Sequence, residues 1–200
     1  SDGLVDWDAL STALTDNTLL VSVMLVNNET GVVQDVARIA ALARSRGALV
    51  HSDLAQAIGK CPVNVTTLDL DLASLSAHKT YGPKGVGALY VRRSPEVQVA
   101  EQQHGGGHER GMRSGTLPTH QIVGMAEAYR LASLEAAQDA IPLDSYRQQV
   151  LECCAELGGI KVNGRHCVPH IINVTVDGID AEPLMAAMPE IAVSTGSACN

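Results

Sequence analysis

A nearly unbroken apolar run at residues 18–26, TLLVSVMLV, does most to limit what this chain can fold into. A strand open to water on one face alternates polar and apolar residues. A run without that alternation predicts a strand covered on both faces, as in parallel sheets whose crossovers are helices. The pattern recurs: residues 48–50 start a short buried strand that ends in His51, Ser52 and Asp53, and 69–75 and 86–91 read as two more strands. Helical spacing appears at 5–14, 35–46, 120–132, 143–157 and 181–188, with Gly47 and the Gly158–Gly159 pair as stops. Residues 170–176 and 191–194 read as later strands. Strands alternating with helices predict an α/β fold with a mostly parallel, doubly wound sheet flanked by helices. The bland passage 135–142 is where a domain boundary would fall, followed by a small α/β unit over 159–200.

Composition narrows the function classes. At 46% hydrophobic and 18% charged, the chain can bury a core, which must be aliphatic because it holds one Trp, four Tyr and no Phe. A formal net charge of -8 argues against nucleic-acid binding, which needs a basic face. No apolar run approaches a membrane span, and no targeting segment follows Ser1. The five cysteines (Cys61, Cys153, Cys154, Cys167, Cys199) show no CxxC spacing, which suits a reducing compartment. No GxGxxG or Walker loop follows any of these strands.

Polar residues close the apolar runs, and ligands of open α/β sheets bind beyond the carboxyl ends of the strands. Asn28, Asp53 and Lys79 each fall just past, or at, the end of a different strand. Lys79 precedes a turn rich in glycine and proline (Gly82, Pro83, Gly85, Gly87), so a short tether holds its amine at the sheet edge. Such a lysine can be desolvated and form a Schiff base with a carbonyl. A pyridine-containing carbonyl cofactor also needs a carboxylate at its ring nitrogen, work for which Asp53 is well placed. Asp53 reads equally as a helix N-cap for 54–58. In the Gly-rich loop 103–116, His104 and His108 lack a third metal ligand nearby.

The segments VNNETGVVQDV, HSDLAQAIGK, DLASLSAHKTYGPKGVGALYVRR, HGGGHERGMRSGTLPTHQIVG and STGSAC resemble the cysteine desulfurases of the iron–sulfur-cluster assembly type, pyridoxal-phosphate enzymes of the class-V aminotransferase family. The resemblance is dense over 5–132, loose over 133–166 and good again over 170–199. It implies a fold-type-I transferase. Residues 1–135 would be the C-terminal part of the large cofactor-binding domain, and 136–200 a partial small domain ending at the catalytic-cysteine loop. By the same resemblance, Lys79 would hold pyridoxal 5'-phosphate, Asp53 would pair with its ring nitrogen, and Gln56 would hydrogen-bond its phenolic oxygen. Asn28 would place the substrate, and Ser76 and His78 would bind the phosphate. Thr116 would reach the phosphate of the neighbouring subunit in a homodimer. Cys199 would be the nucleophile that takes sulfur from L-cysteine as a persulfide, leaving alanine, with an iron–sulfur scaffold or other sulfur-acceptor protein as partner.

The resemblance also implies pieces the sequence does not contain. Upstream these are a Thr-bearing phosphate loop and a histidine stacked on the pyridine ring; downstream, an arginine that clamps the substrate carboxylate. Asn200 stands where Thr or Ser is usual. The stretch alone is therefore expected to be weakly active or inactive, and its parent active in the cytoplasm or the mitochondrial matrix. Selenocysteine lyases share the fold and cofactor. A truncated domain that only dimerises or binds a partner is the non-enzymatic alternative.

Overall fold

Strands β1 (Leu20–Met24), β2 (Leu49–Asp53), β3 (Leu72–Ser76) and β4 (Gly87–Val91) lie side by side in that order in a computed structural model that describes residues 2–93, 95 and 97–196. The first three are parallel and β4 runs antiparallel, so the expected mostly parallel α/β sheet is present. Helix α1 (Trp7–Ala13) precedes β1 and starts where the Asp6 carboxylate accepts the Ala9 N–H at 2.9 Å. Helix α2 (Val36–Arg44) makes the crossover from β1 to β2, and its Asp35 caps the Arg38 N–H at 3.1 Å. Its apolar positions recur with helical spacing, so Val36, Ile39, Ala40 and Ala43 are all buried. Val36, Ala40 and Ala43 join Val50, Leu54, Leu70 and Ala73 in one core cluster. Each large aliphatic side chain so buried contributes about 1.5–3 kcal/mol.

Three strand expectations need correction. Residues 18–26 were expected to be covered on both faces, yet the strand is confined to Leu20–Met24, with Leu20 and Ser22 exposed and Leu19 78% exposed. Among the described residues, no second layer covers that face of β1. No strand forms at 191–194. The strand expected at 170–176 shrinks to β6 (Val174–Val176), which pairs antiparallel with an unanticipated β5 (Ile160–Val162).

The larger correction concerns the middle of the chain. The two helices expected at 120–132 and 143–157 are one continuous helix, α3 (Thr119–Leu157), which runs through Pro142. Proline costs an interior helix one hydrogen bond, but residues such as Leu134, Glu135, Ala136, Ala137 and Gln138 favour helix strongly enough to carry it across. The N-terminal part of α3 packs on the sheet unit, where a Cβ added to Gly59 would come within 2.6 Å of Ala132 Cβ. Gly59 also has φ of +74°, so the site accepts only glycine without strain. Further along, Arg147 Nη1 donates to the Ile171 carbonyl at 2.6 Å and ties α3 to the β5–β6 unit. Helix α4 (Ala181–Ala187) follows β6. No helix among the described residues is long and apolar enough to cross a membrane.

A charged cluster braces the sheet at the start of β3. Asp71, 1% exposed, accepts the Val50 N–H at 2.8 Å and bonds from Arg44 Nη2 at 3.1 and 3.2 Å, with Arg92 Nε 3.2 Å away. Asp69, at a left-handed φ of +53°, pairs with the same two arginines. Burial raises the Asp69 pKa, but the hydrogen bonds from Arg92 and Arg44 outweigh it and hold the carboxyl below its usual range.

Candidate active site

Register is what gathers the site. Met24 lies beside Asp53, and Asp53 beside Ser74, so β1, β2 and β3 end at one edge of the sheet. The chain beyond each strand stays attached to its neighbour, through Leu25 N–H to the Asp53 carbonyl at 3.0 Å and Leu54 N–H to the Ser74 carbonyl at 2.9 Å. Each strand then delivers one polar group to that rim.

After β1, Asn27 Oδ1 accepts hydrogen bonds from the N–H groups of Glu29 (3.0 Å) and Thr30 (2.8 Å) and from the Thr30 hydroxyl (3.0 Å). Asn27 therefore builds the turn, and Asn28 sits within it, half-buried. Val168 N–H donates to the Gly31 carbonyl at 2.8 Å and Asn173 Nδ2 to the Glu29 carbonyl at 3.4 Å, so the C-terminal unit grips this loop.

At the end of β2, Asp53 Oδ1 accepts the Ala55 N–H at 2.8 Å and caps the turn that follows. The capping role and a ligand role are compatible, because Oδ2 is left for another partner. Gln56, half-buried in that turn, accepts a hydrogen bond at its Oε1 from Lys60 Nζ, 3.1 Å away. An ammonium has no acceptor, so the Gln56 carbonyl must be the atom that faces it, and both amide N–H groups are left free to donate.

After β3, a 3-10 turn (Ala77–Thr80) carries the lysine. Ala77 and Thr80 are buried and act as its anchors, while His78 and Lys79 project between them. Backbone bonds from Ala77 N–H to the Val86 carbonyl (3.2 Å) and Gly82 N–H to the Ala77 carbonyl (3.0 Å) close the turn. The Tyr129 hydroxyl donates to the Ser76 carbonyl at 3.2 Å, so α3 clamps it from outside. Ser76 Oγ and His78 Nδ1 stand 2.9 Å apart, a pair that can present a hydroxyl and an imidazole to one ligand group.

Beside this turn lies a cavity of about 550 Å³ between the residues of 58–60, the turn itself, α3 and His170. Lys79, His78, Lys60, Glu135 and Asp139 line it, but Asn28, Asp53 and Gln56 do not. The rim and the cavity thus meet at the lysine-bearing turn. Burial, and secondarily the charge of Lys60, lower the His170 pKa to about 4, so this imidazole is neutral at physiological pH.

The structure brings together Asp53, Gln56, Ser76, His78 and Lys79, with Asn28 on the adjoining loop. It does not bring Thr116 to them: Thr116 is exposed in the loop before α3. Cys199 lies outside the described residues. Among the described residues, no group of three or more His, Cys, Asp or Glu could hold a metal ion; His104 pairs instead with Glu101 at 3.3 Å. Sequence reasoning assigned no role to Lys60. Its signal was its spacing from Gln56, which becomes a contact only once the turn returns the side chain.

The aminotransferase class-V family matches residues 1–200. The chain is 51% identical over 201 residues to the cysteine desulfurase IscS of Photorhabdus laumondii, covering 100% of this chain and 50% of that protein. The IscS of Proteus mirabilis gives the same figures. Among solved structures, a NifS-like protein from Rickettsia africae superposes with a TM-score of 0.88 at 30% identity, over 98% of this chain and 56% of that one. The chain spans about half the length of the curated relatives it matches. Whole-length family similarity, the parallel sheet and the lysine-bearing turn at its carboxyl edge lead to one assignment: this chain belongs to the class-V aminotransferase family.

Proposed function

We propose that this chain carries the lysine half of a pyridoxal-phosphate cysteine desulfurase site. The observation that supports this most is the aligned ending of three parallel strands, which sets an amine, a carboxylate and an amide along one edge. The donor set fits the cofactor group by group. Lys79 offers a primary amine, Asp53 an oxygen not used in capping, Gln56 two N–H donors, and the Ser76–His78 pair donors for a dianionic phosphate. Bound there, the cofactor would supply an aldehyde for amino groups and a pyridine ring able to accept electrons.

The protein's own residues would do the rest. Asp53 would hold a proton on the cofactor's ring nitrogen, and Gln56 would donate to its phenolic oxygen. Asn28 positions the substrate. Lys79 would both hold the cofactor and serve as the base and acid that moves the proton at the substrate Cα. The Cys199 thiolate would attack the substrate sulfur; the substrate's Cβ–S bond breaks with its electron pair left on Cβ, which takes a proton, so the sulfur remains as a persulfide while alanine departs. Thr116, exposed, suits a contact with the neighbouring subunit of a homodimer. The persulfide would pass to an iron–sulfur scaffold or tRNA-thiolation acceptor in the cytoplasm. The division between large and small domain would fall near residue 135, within the continuous helix α3, which touches both units.

The names of the relatives favour a desulfurase over a selenocysteine lyase. The test is turnover of L-cysteine by the cofactor-loaded full-length parent. Alanine is expected to appear with one persulfide on Cys199, and Cys199→Ala is expected to lose both. Turnover confined to L-selenocysteine, or alanine release untouched by Cys199→Ala, would contradict the reading.

A further inference from the structure

Lys60 is an ammonium without a counter-ion. It is half-buried, it lines the cavity beside the lysine-bearing turn, and among the described residues no carboxylate pairs with it. Glu135 and Asp139 line the same cavity, yet the partner of Lys60 Nζ is the amide oxygen of Gln56 at 3.1 Å. Burial lowers the Lys60 pKa, and the charge of Lys79 lowers it further. The fold therefore holds a second ammonium near the first at a cost, with His78 and the neutral His170 as the other titratable neighbours. A lysine that merely covered apolar surface would extend its head to water.

We propose that Lys60 is a positioning residue: its ammonium fixes the Gln56 amide with the carbonyl turned to Lys60, so that Gln56 can meet a bound ligand only as a donor. This rests on the cofactor reading above, in which the atom met by Gln56 is a phenolic oxygen. Without Lys60 the amide is free to flip, and half of its orientations present an oxygen to an oxygen. Donation to the phenolic oxygen would stabilise its ionised form and weaken its hold on a proton shared with the Lys79 nitrogen. A positive charge nearby opposes that proton as well. Both effects have the same sign, so removing Lys60 makes the proton harder to lose.

The test uses the full chain loaded with pyridoxal phosphate, in wild type, Lys60→Met, Lys60→Arg, Gln56→Leu and the double variant Lys60→Met/Gln56→Leu. Two quantities are read: cofactor affinity from chromophore titration, and the pH midpoint of the chromophore's colour change. Lys60→Met is expected to weaken cofactor binding ~3–10-fold and to raise the midpoint by ~0.5–1 pH unit. Lys60→Arg, which keeps the charge and donors, is expected to stay close to wild type. In the Gln56→Leu background, Lys60→Met is expected to cost little further affinity. Equal values for wild type and Lys60→Met overturn the inference, as does a full, additive loss in the Gln56→Leu background, the mark of a merely structural role. A wild-type chain that never colours overturns the cofactor reading and this inference together.

Discussion

Lys79→Ala is expected to leave the cofactor-loaded full-length parent without its yellow chromophore and to cut L-cysteine turnover by roughly 10⁴-fold or more. The size follows from the two roles proposed for this one side chain, covalent retention of the cofactor and proton transfer at Cα. Neither has a stand-in of equal geometry. Lys60, the nearest alternative amine on the same cavity, is engaged by Gln56. The turn that carries Lys79 is fixed independently of its side chain, by buried Ala77 and Thr80 and by the bonds to Val86, Gly82 and Tyr129. The variant should therefore fold normally, with unchanged far-ultraviolet circular dichroism. Colour and turnover measured on that folded protein check the expectation, and wild-type turnover in Lys79→Ala would refute it.

Asp71→Ala is expected to be the most damaging single change to stability, at about 3 kcal/mol or more. The carboxylate is buried, satisfies the Val50 N–H inside the sheet and neutralises Arg44 and Arg92. Its removal orphans a buried backbone donor and leaves two guanidiniums with Asp69 as their shared counter-ion. Because Arg44 and Arg92 are 31% and 15% exposed, water recovers part of their solvation, which keeps the loss toward the low end of roughly 3–5 kcal/mol. Asp69→Ala removes a carboxylate that is 42% exposed, so it is expected to cost only about 1 kcal/mol. Urea denaturation midpoints of the two variants test the ordering, and equal midpoints would contradict it.

How far the sequence carried this account depends on range. Asp53 and Lys79 were legible at the strand ends because each closes an apolar run, and the register of β1, β2 and β3 then aligns those ends. Asn28 was singled out by its place just past an apolar run, and what sets it apart from Asn27 emerged only in the fold, where Asn27 is consumed by its own turn. The Asp71 cluster escaped because its partners come from α2 and the segment after β4, and DLDLA by itself reads as a charged strand entrance. The single helix α3 was misread because Pro142 is usually punctuation, whereas the residues on both sides of it prefer helix. Strand β5 is too short for any periodicity to show. Lys60 went unassigned because its meaning lies in a side-chain contact across a turn.

The central claim is that the amine on the turn after β3 is the one that takes a carbonyl cofactor. Borohydride reduction of the pyridoxal-phosphate-loaded full chain, followed by peptide mass spectrometry, tests it directly. One pyridoxyl group is expected, on Lys79. A pyridoxyl group on Lys60 or Lys84 with Lys79 unmodified, or no stable modification at all, would contradict it.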